Sequence, residues 1–325
     1  MVLRVVEEER ALRRYVRRFE SHFRRLPHEK KTLTLGHRGK SYEFRVYWIP
    51  SLGLWLATDW KGDYYRHVFG LTCLNQGQVS ITCEINFPRS GIDRKVGGAF
   101  AVEPDGHVFV VHRGLLGGRK GIGKTFFVRE YRGLWAEMEE KDTVSPVVVV
   151  GELTSVRFAR QLSQFVRRVA EIKESKERED SRQLAMPLDL DYAPHILGWE
   201  TYEDMKRDLP SACDLGLVVE DLVAKIESRG LKVKPLGLNC LLCPVKEEGK
   251  DVYFYILPDS RPRSVREGAT HLFFLALRSR RPYRLLLVVP EILSDFLQER
   301  LREFSIETIV YRWIKDRATF AGLDI

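Results

Sequence analysis

Between residues 5 and 26, apolar side chains at Val6, Leu12, Tyr15, Val16, Phe19 and Phe23 recur at steps of three and four among many arginines. That period lines one face of an α-helix. An amphipathic helix is predicted, ended before Pro27, whose ring keeps the preceding residue out of the α conformation. From Lys31 the period drops to two. "KTLTLGHRGKSYEFRVYWIP" and "LGLWLATDW" alternate apolar and polar positions between glycine-containing turns. "QVSITCEINFP", "GGAFAVEPDGHVFVVHRG" and "SPVVVVGEL" continue this strand-rich run, as antiparallel strands do. Inside it, Asp105-Gly106 supplies positive φ at little cost and predicts a hairpin turn. Helical spacing returns through Val156, Leu162, Phe165, Val166 and Val169.

The next stretch, "ESKEREDSRQ", is charged and lacks large apolar residues. With "LAMPLDLDYAP" it is expected to be a linker, residues 174–195, although a continuing solvated helix would look the same at its start. It divides the chain into a β-rich domain, 1–173, and a second domain, 196–325. The second domain shows a helix in "LGLVVEDLVAKIESRG" closed by Gly230, then three short strands in "LKVKPL", "NCLLCPVK" and "DVYFYILP". A helix follows in "RSVREGATHLFFLALR", a strand in "YRLLLVV", a helix opened by Pro290 in "PEILSDFLQERLREF", and a last strand in "IETIVYRW". Strands alternating with helices indicate an α/β layer. The expected class is therefore α+β and α/β combined: a β-rich N-terminal domain with flanking helices, then an α/β C-terminal domain.

Composition narrows the function classes. The 325 residues suffice for two cores, and 44% hydrophobic with 30% charged residues is the balance of a globular protein. No run of about 18 apolar residues exists to span a membrane, and no apolar h-region marks a secretory signal. Five scattered cysteines suit a reducing compartment, so a cytoplasmic location is expected. Abundant Arg, Lys and Glu beside scarce Asn and Gln hint at a thermophilic source. The net charge of +8 favours polyanionic partners, chiefly nucleic acid.

Candidate chemistry begins at "GGRKGIGKT", where Gly118, Gly123, Lys124 and Thr125 satisfy the phosphate-loop expression. A working loop follows directly on a buried strand and opens a long helix. Here the strand stops about four residues early, and Gly133 leaves scarcely two helical turns. ATP binding is therefore the minor alternative. The preferred reading keeps the phosphate without the nucleotide. Arg113, Arg119, Lys120 and Lys124 among glycines, with His112 just before them and Arg89, Arg94 and Lys95 on an upstream loop, are expected to contact nucleic-acid phosphates. Trp55, Trp60, Tyr64, Tyr65 and Phe69 are available nearby for base stacking, or else form ordinary core. Glu84 and Asp93 could bring a carboxylate to this loop. Cys240 and Cys243 form a lone CxxC without a second ligand pair, so no metal site is expected there.

The order helix, three strands, helix, strand, helix over residues 214–312 resembles the core of the PD-(D/E)xK, or restriction-endonuclease-like, superfamily. The segment "PDSRPRSVREGATHLFFLALRSRRPYRLLLVVPE" is similar to the helix and fourth strand that follow the catalytic strand, with Arg266 and Glu267 where an Arg-Glu pair opens the helix. The resemblance implies an Asp on the second strand and a Glu-x-Lys on the third, together handling Mg²⁺ and the attacking water. In this chain those positions fall at Cys240, Tyr255 and Leu257. None of these side chains can do the family's task, which implies a catalytically degenerate domain unless Glu220, Asp251, Asp259 or Glu267 rebuilds a site. The expectation is thus a DNA-binding protein with a nuclease-like domain, in restriction, defence or repair. A homodimer or an active nuclease partner is expected, with no resident cofactor. A Mg²⁺-dependent endonuclease is the alternative.

Overall fold

The structure is a computed structural model describing residues 2–37, 40–59, 62–71, 81–116, 122–182, 208–245 and 249–323. The chain forms two compact units, Met1–Pro210 and Ser211–Ile325.

The first unit runs through β1 (Val2–Val5), α1 (Glu9–Arg24), β2 (Glu29–His37), β3 (Lys40–Ile49), β4 (Leu54–Asp59), β5 (Tyr64–Gly70), β6 (Cys83–Glu84) and β7 (Phe87–Pro88). It continues with β8 (Gly98–Val102), β9 (Val108–His112), α2 (Lys124–Glu130), β10 (Trp135–Glu140), β11 (Thr143–Glu152) and α3 (Phe158–Arg182). Strands β2 to β6 form an antiparallel meander, with β7 also pairing to β5. The other five close a barrel in the order β1-β10-β11-β9-β8. Five strands cannot alternate in direction all the way round a ring, so one junction must be parallel. That junction is β1 with β10, where Leu3 pairs with Met138.

Helix α1 starts at Glu9, later than the helix expected over residues 5–26. Val2–Val5 is a strand, fixed by partners near residues 101 and 138 that no local period can show. The helical period then governs α1, which buries Leu12, Val16, Phe19 and Phe23. Phe19 lies at the centre of an aromatic cluster, with ring centroids 4.8–6.3 Å from Phe23, His67, Phe69, Phe87 and Phe158. It thereby joins α1 to β5, β7 and α3 through mostly edge-on aromatic contacts. Trp55, Tyr65 and Phe69 are buried in the core. The β8–β9 hairpin turns at Gly106, whose φ of +90° only glycine adopts without strain. Helix α3 runs on to Arg182, so residues 174–182 are helical; the rest of the expected linker lies outside the described residues.

The second unit contains α4 (Leu209–Glu227), which begins just before it, then β12 (Lys234–Pro235), β13 (Cys240–Val245), β14 (Lys250–Ile256) and α5 (Pro262–Arg278). The chain continues through β15 (Tyr283–Val289), α6 (Asp295–Glu303), β16 (Ile306–Ile314) and β17 (Arg317–Ala321). The six strands lie in sequence order in one mixed sheet. β14, β15 and β16 are mutually parallel, and the outer pairs are antiparallel. Each parallel step needs a crossover, and α5 and α6 supply the two.

Period-two alternation divides this sheet's side chains between two cores. Leu241, Cys243, Val252 and Phe254 face Val218, Leu222 and Ile226 of α4. Cys240, Tyr253, Tyr255 and Leu257 face Val265, Leu272 and Ala276 of α5 and Leu301 of α6. Helices therefore cover both faces, as an α/β layer requires. Two details differ from the sequence expectation. Helix α6 starts at Asp295 behind Ser294, not at Pro290, because Leu293 is drawn into the core before the helix can begin. Strand β17 extends the sheet beyond the expected last strand. It is held by Asp221 of α4, which accepts hydrogen bonds from Arg317 (2.9 Å) and the Ala318 amide (2.8 Å).

Candidate functional site

In the first unit the basic residues around the glycine loop divide into two kinds. Arg113 is buried: one guanidinium nitrogen donates to the carbonyls of Val96 (2.9 Å) and Gly98 (3.1 Å), and the other to the Glu140 carboxylate. Arg94 donates to the second Glu140 oxygen at 3.2 Å, to the Glu140 carbonyl at 3.3 Å and to the Thr143 hydroxyl. Glu140, the last residue of β10, thus holds two of the arginines selected from sequence for phosphate contact. A buried guanidinium has to be paired, and here the partner comes from the barrel itself. Sequence reasoning missed Glu140 because it lies 27 residues from Arg113 along the chain.

His112 is also interior. Its Nδ1 accepts the Gly114 amide (3.1 Å), and burial, aided by the neighbouring Arg113 charge, pulls its pKa down to about 4. Arg89 is exposed, donates to the Gly62 carbonyl (2.9 Å) and lies 5.2 Å over the Tyr65 ring. Lys95 and Lys124 are exposed. Gly118, Arg119 and Lys120 lie outside the described residues, but the base of their loop is closed by pairing of Leu116 with Ile122. Lys124 and Thr125 do open a helix behind Gly123, yet α2 has only seven residues. Strand β9, ahead of the loop, is antiparallel to both its neighbours, whereas a phosphate loop joins parallel strand–helix units. Neither nearby carboxylate is poised for chemistry. Glu84 accepts from Arg66 (2.7 Å) and Asn86 (2.9 Å), and Asp93 closes a turn on the Lys95 amide (2.9 Å).

In the second unit the four carboxylates considered for catalysis do not share a site. Glu220 is on α4, over one face of the sheet, and Glu267 is on α5, over the other. Asp251 is the second residue of β14 and Asp259 lies past its far end, roughly 15 Å or more away at ~3.3 Å per residue. Local partners hold them apart: Asp251 meets Arg281 (3.4 Å), Glu267 meets Arg263 (3.1 Å), and Asp259 accepts from the Arg261 amide (2.9 Å) and Ser264 hydroxyl (2.7 Å). Burial acts to raise the Asp259 carboxyl, but these bonds and the Arg261 side chain outweigh it and hold the pKa below its usual value. Asp214 and Asp221 are the buried carboxylates of α4, and Asp221, one place beyond Glu220, bonds to β17. Among the described residues no group of three or more His, Cys, Asp or Glu is placed to hold a metal ion.

The CxxC pair shows how the strand decides chemistry. An odd spacing along β13 sends Cys240 to the α5 face and Cys243 to the α4 face, so they can neither bond to each other nor share a metal. Burial pushes the Cys240 thiol up to about 12 and raises Cys243 as well. Both thiols should therefore resist alkylation at pH 8 in the native protein and react once urea unfolds it, as mass spectrometry of the labelled peptides would read. Rapid native labelling of both would contradict the packing.

Comparison with known proteins finds no match: no family model fits the chain, and no curated protein or solved structure is similar to it.

Proposed function

We propose that this protein binds duplex DNA through a nuclease-like scaffold that does not cut it. The observation carrying this reading is the register of the second unit. Its order of helix, three antiparallel strands, helix and parallel fourth strand supports the resemblance to the PD-(D/E)xK core. On that scaffold Cys240 pairs directly with Tyr255, and both lie with Leu257 in the apolar cluster beneath α5. By the resemblance, these are the places that would carry the superfamily's acids and lysine. A hard divalent cation needs oxygen ligands, and a thiol, a phenol and an isobutyl group do not supply them. The residues present do not fit the metal, and no hydrolytic step is assigned. Nucleic-acid binding is favoured by the net charge of +8 and by the exposed Arg89, Lys95 and Lys124. Restriction, defence or repair, with a second copy or an active nuclease supplying any cleavage, is the setting this reading suggests.

The test combines fluorescence anisotropy and cleavage on one labelled duplex, with full-length protein in 5 mM Mg²⁺ or Mn²⁺. The expected result is binding that weakens steeply with salt, with the duplex left intact. Cleavage abolished by Asp259→Ala would replace this reading with an active endonuclease. Absence of binding at low salt would end it.

A further inference from the structure

We infer that the outer face of α1 is itself a binding surface for the phosphate backbone of a nucleic-acid duplex, separate from the glycine loop. The inference rests on the proposed DNA-binding function and locates a contact for it. Helix α1 carries Arg10, Arg13, Arg14, Arg17, Arg18 and Arg24, with Arg25 at its C-cap, and all seven are exposed. At 100° per residue, Leu12, Val16, Phe19 and Phe23 define the buried stripe; Arg10, Arg14, Arg17, Arg18 and Arg25 fall on the opposite side, with Arg24 and Arg13 on its flank. Glu20, the acid in the middle of the helix, is turned inward to His67 (3.1 Å) and receives Arg24 (2.6 Å).

Three of these arginines have local duties: Arg24 on Glu20, Arg18 on the carbonyls of Leu153 and Thr154 (both 3.3 Å), and Arg14 on the Tyr15 hydroxyl (3.3 Å). The side chains of Arg10, Arg13, Arg17 and Arg25 make no ion pair or hydrogen bond among the described residues. Like charges three and four apart destabilise a helix, Glu9 in the first turn is the one exposed acid of α1 to set against them, and Arg10 stands where the helix dipole disfavours a cation. A merely solvated face would ordinarily interleave acids to relieve this. An incoming polyanion relieves it instead.

Three features choose the polyanion. The ridge is made of arginine, whose planar fork holds phosphate oxygens in pairs. From Arg10 to Arg25 it extends about 22 Å at 1.5 Å per residue, a length over which one strand of a duplex presents roughly six or seven phosphates. An anionic membrane would need an apolar face to insert, and the apolar face of α1 is sealed in the core, Leu12, Val16 and Phe19 being 0% exposed. The occupant is therefore duplex nucleic acid.

The experiment measures anisotropy of a labelled 20-base-pair duplex from 50 to 300 mM KCl. It compares full-length wild type, the triple variant R10Q/R13Q/R17Q, the charge-keeping R10K/R13K/R17K, and K95Q/K124Q. Glutamine keeps helix propensity, and the substituted positions are exposed, so circular dichroism should match wild type. In the glutamine triple the log–log salt slope is expected to shrink by about 3 units, with most of it retained in the lysine triple. A glutamine triple that binds with the wild-type slope overturns this surface, even if K95Q/K124Q weakens binding and so leaves the DNA-binding function standing. Wild type that does not bind the duplex at 50 mM KCl removes that function and this surface with it. Wild type that binds phosphatidylserine vesicles at concentrations where it ignores the duplex also overturns it.

Discussion

Glu140→Ala is expected to cost the first unit about 3–5 kcal/mol, the usual penalty for stripping a partner from a buried charge. The barrel leaves Arg113 buried between the Val96 and Gly98 carbonyls, and only Glu140 meets it with opposite charge in the bonds described. Removing the carboxylate leaves a guanidinium that can neither lose its proton nor reach water. Arg94→Ala provides the contrast. Its side chain is 56% exposed, so it gives up a solvent-screened contact and should cost no more than about 1 kcal/mol. Urea unfolding of the two variants side by side measures the difference. If Glu140→Ala unfolds within about 1 kcal/mol of Arg94→Ala, Arg113 is not dependent on this carboxylate.

Acid should destabilise the same barrel through His112. Its folded pKa of about 4 lies below the 6.5 of a free imidazole, so the unfolded chain binds the proton first as pH falls. Stability is fully present above pH 6.5 and declines toward pH 4 at about 1.4 kcal/mol per unit, about 3 kcal/mol in all. His112→Gln keeps an acceptor for the Gly114 amide and removes the titration. The groups that titrate in both proteins, among them buried His22 and the raised His107, cancel in the comparison. The variant's stability should thus fall less steeply, by about one proton, between pH 6.5 and 4. Parallel curves over that range would mean that native His112 takes up its proton normally.

Both predictions concern residues that the sequence offered as surface contacts. Arg113 and His112 flank a glycine-rich, lysine-rich loop, and by composition alone they belong with it. Their burial follows from β9 being an interior strand of a barrel, paired on both sides with strands some ten to forty residues away. The same limit applies to the catalytic candidates. Glu220, Asp251, Asp259 and Glu267 are within 48 residues of one another, but a sheet between α4 and α5, and the length of β14 between the two aspartates, keep them apart. The strands carrying Cys240 and Tyr255, in contrast, could be read from the sequence pattern, and the ladder makes the two residues direct partners.

What the sequence determined by itself is what short-range periodicity encodes. The amphipathic α1, the Asp105-Gly106 turn and the strand–helix alternation of the second unit each depend on side-chain direction within a few residues. The arginine ridge of α1 belongs here too: its apolar stripe fixes which way the arginines point. Only the tertiary structure decided that Val2–Val5 closes a barrel and that Glu140 neutralises two loop arginines. It also decided that Asp221, one place beyond Glu220, bonds to β17. Those outcomes depend on partners distant along the chain, where the gain is burying apolar surface and pairing charge, and no local pattern carries that information.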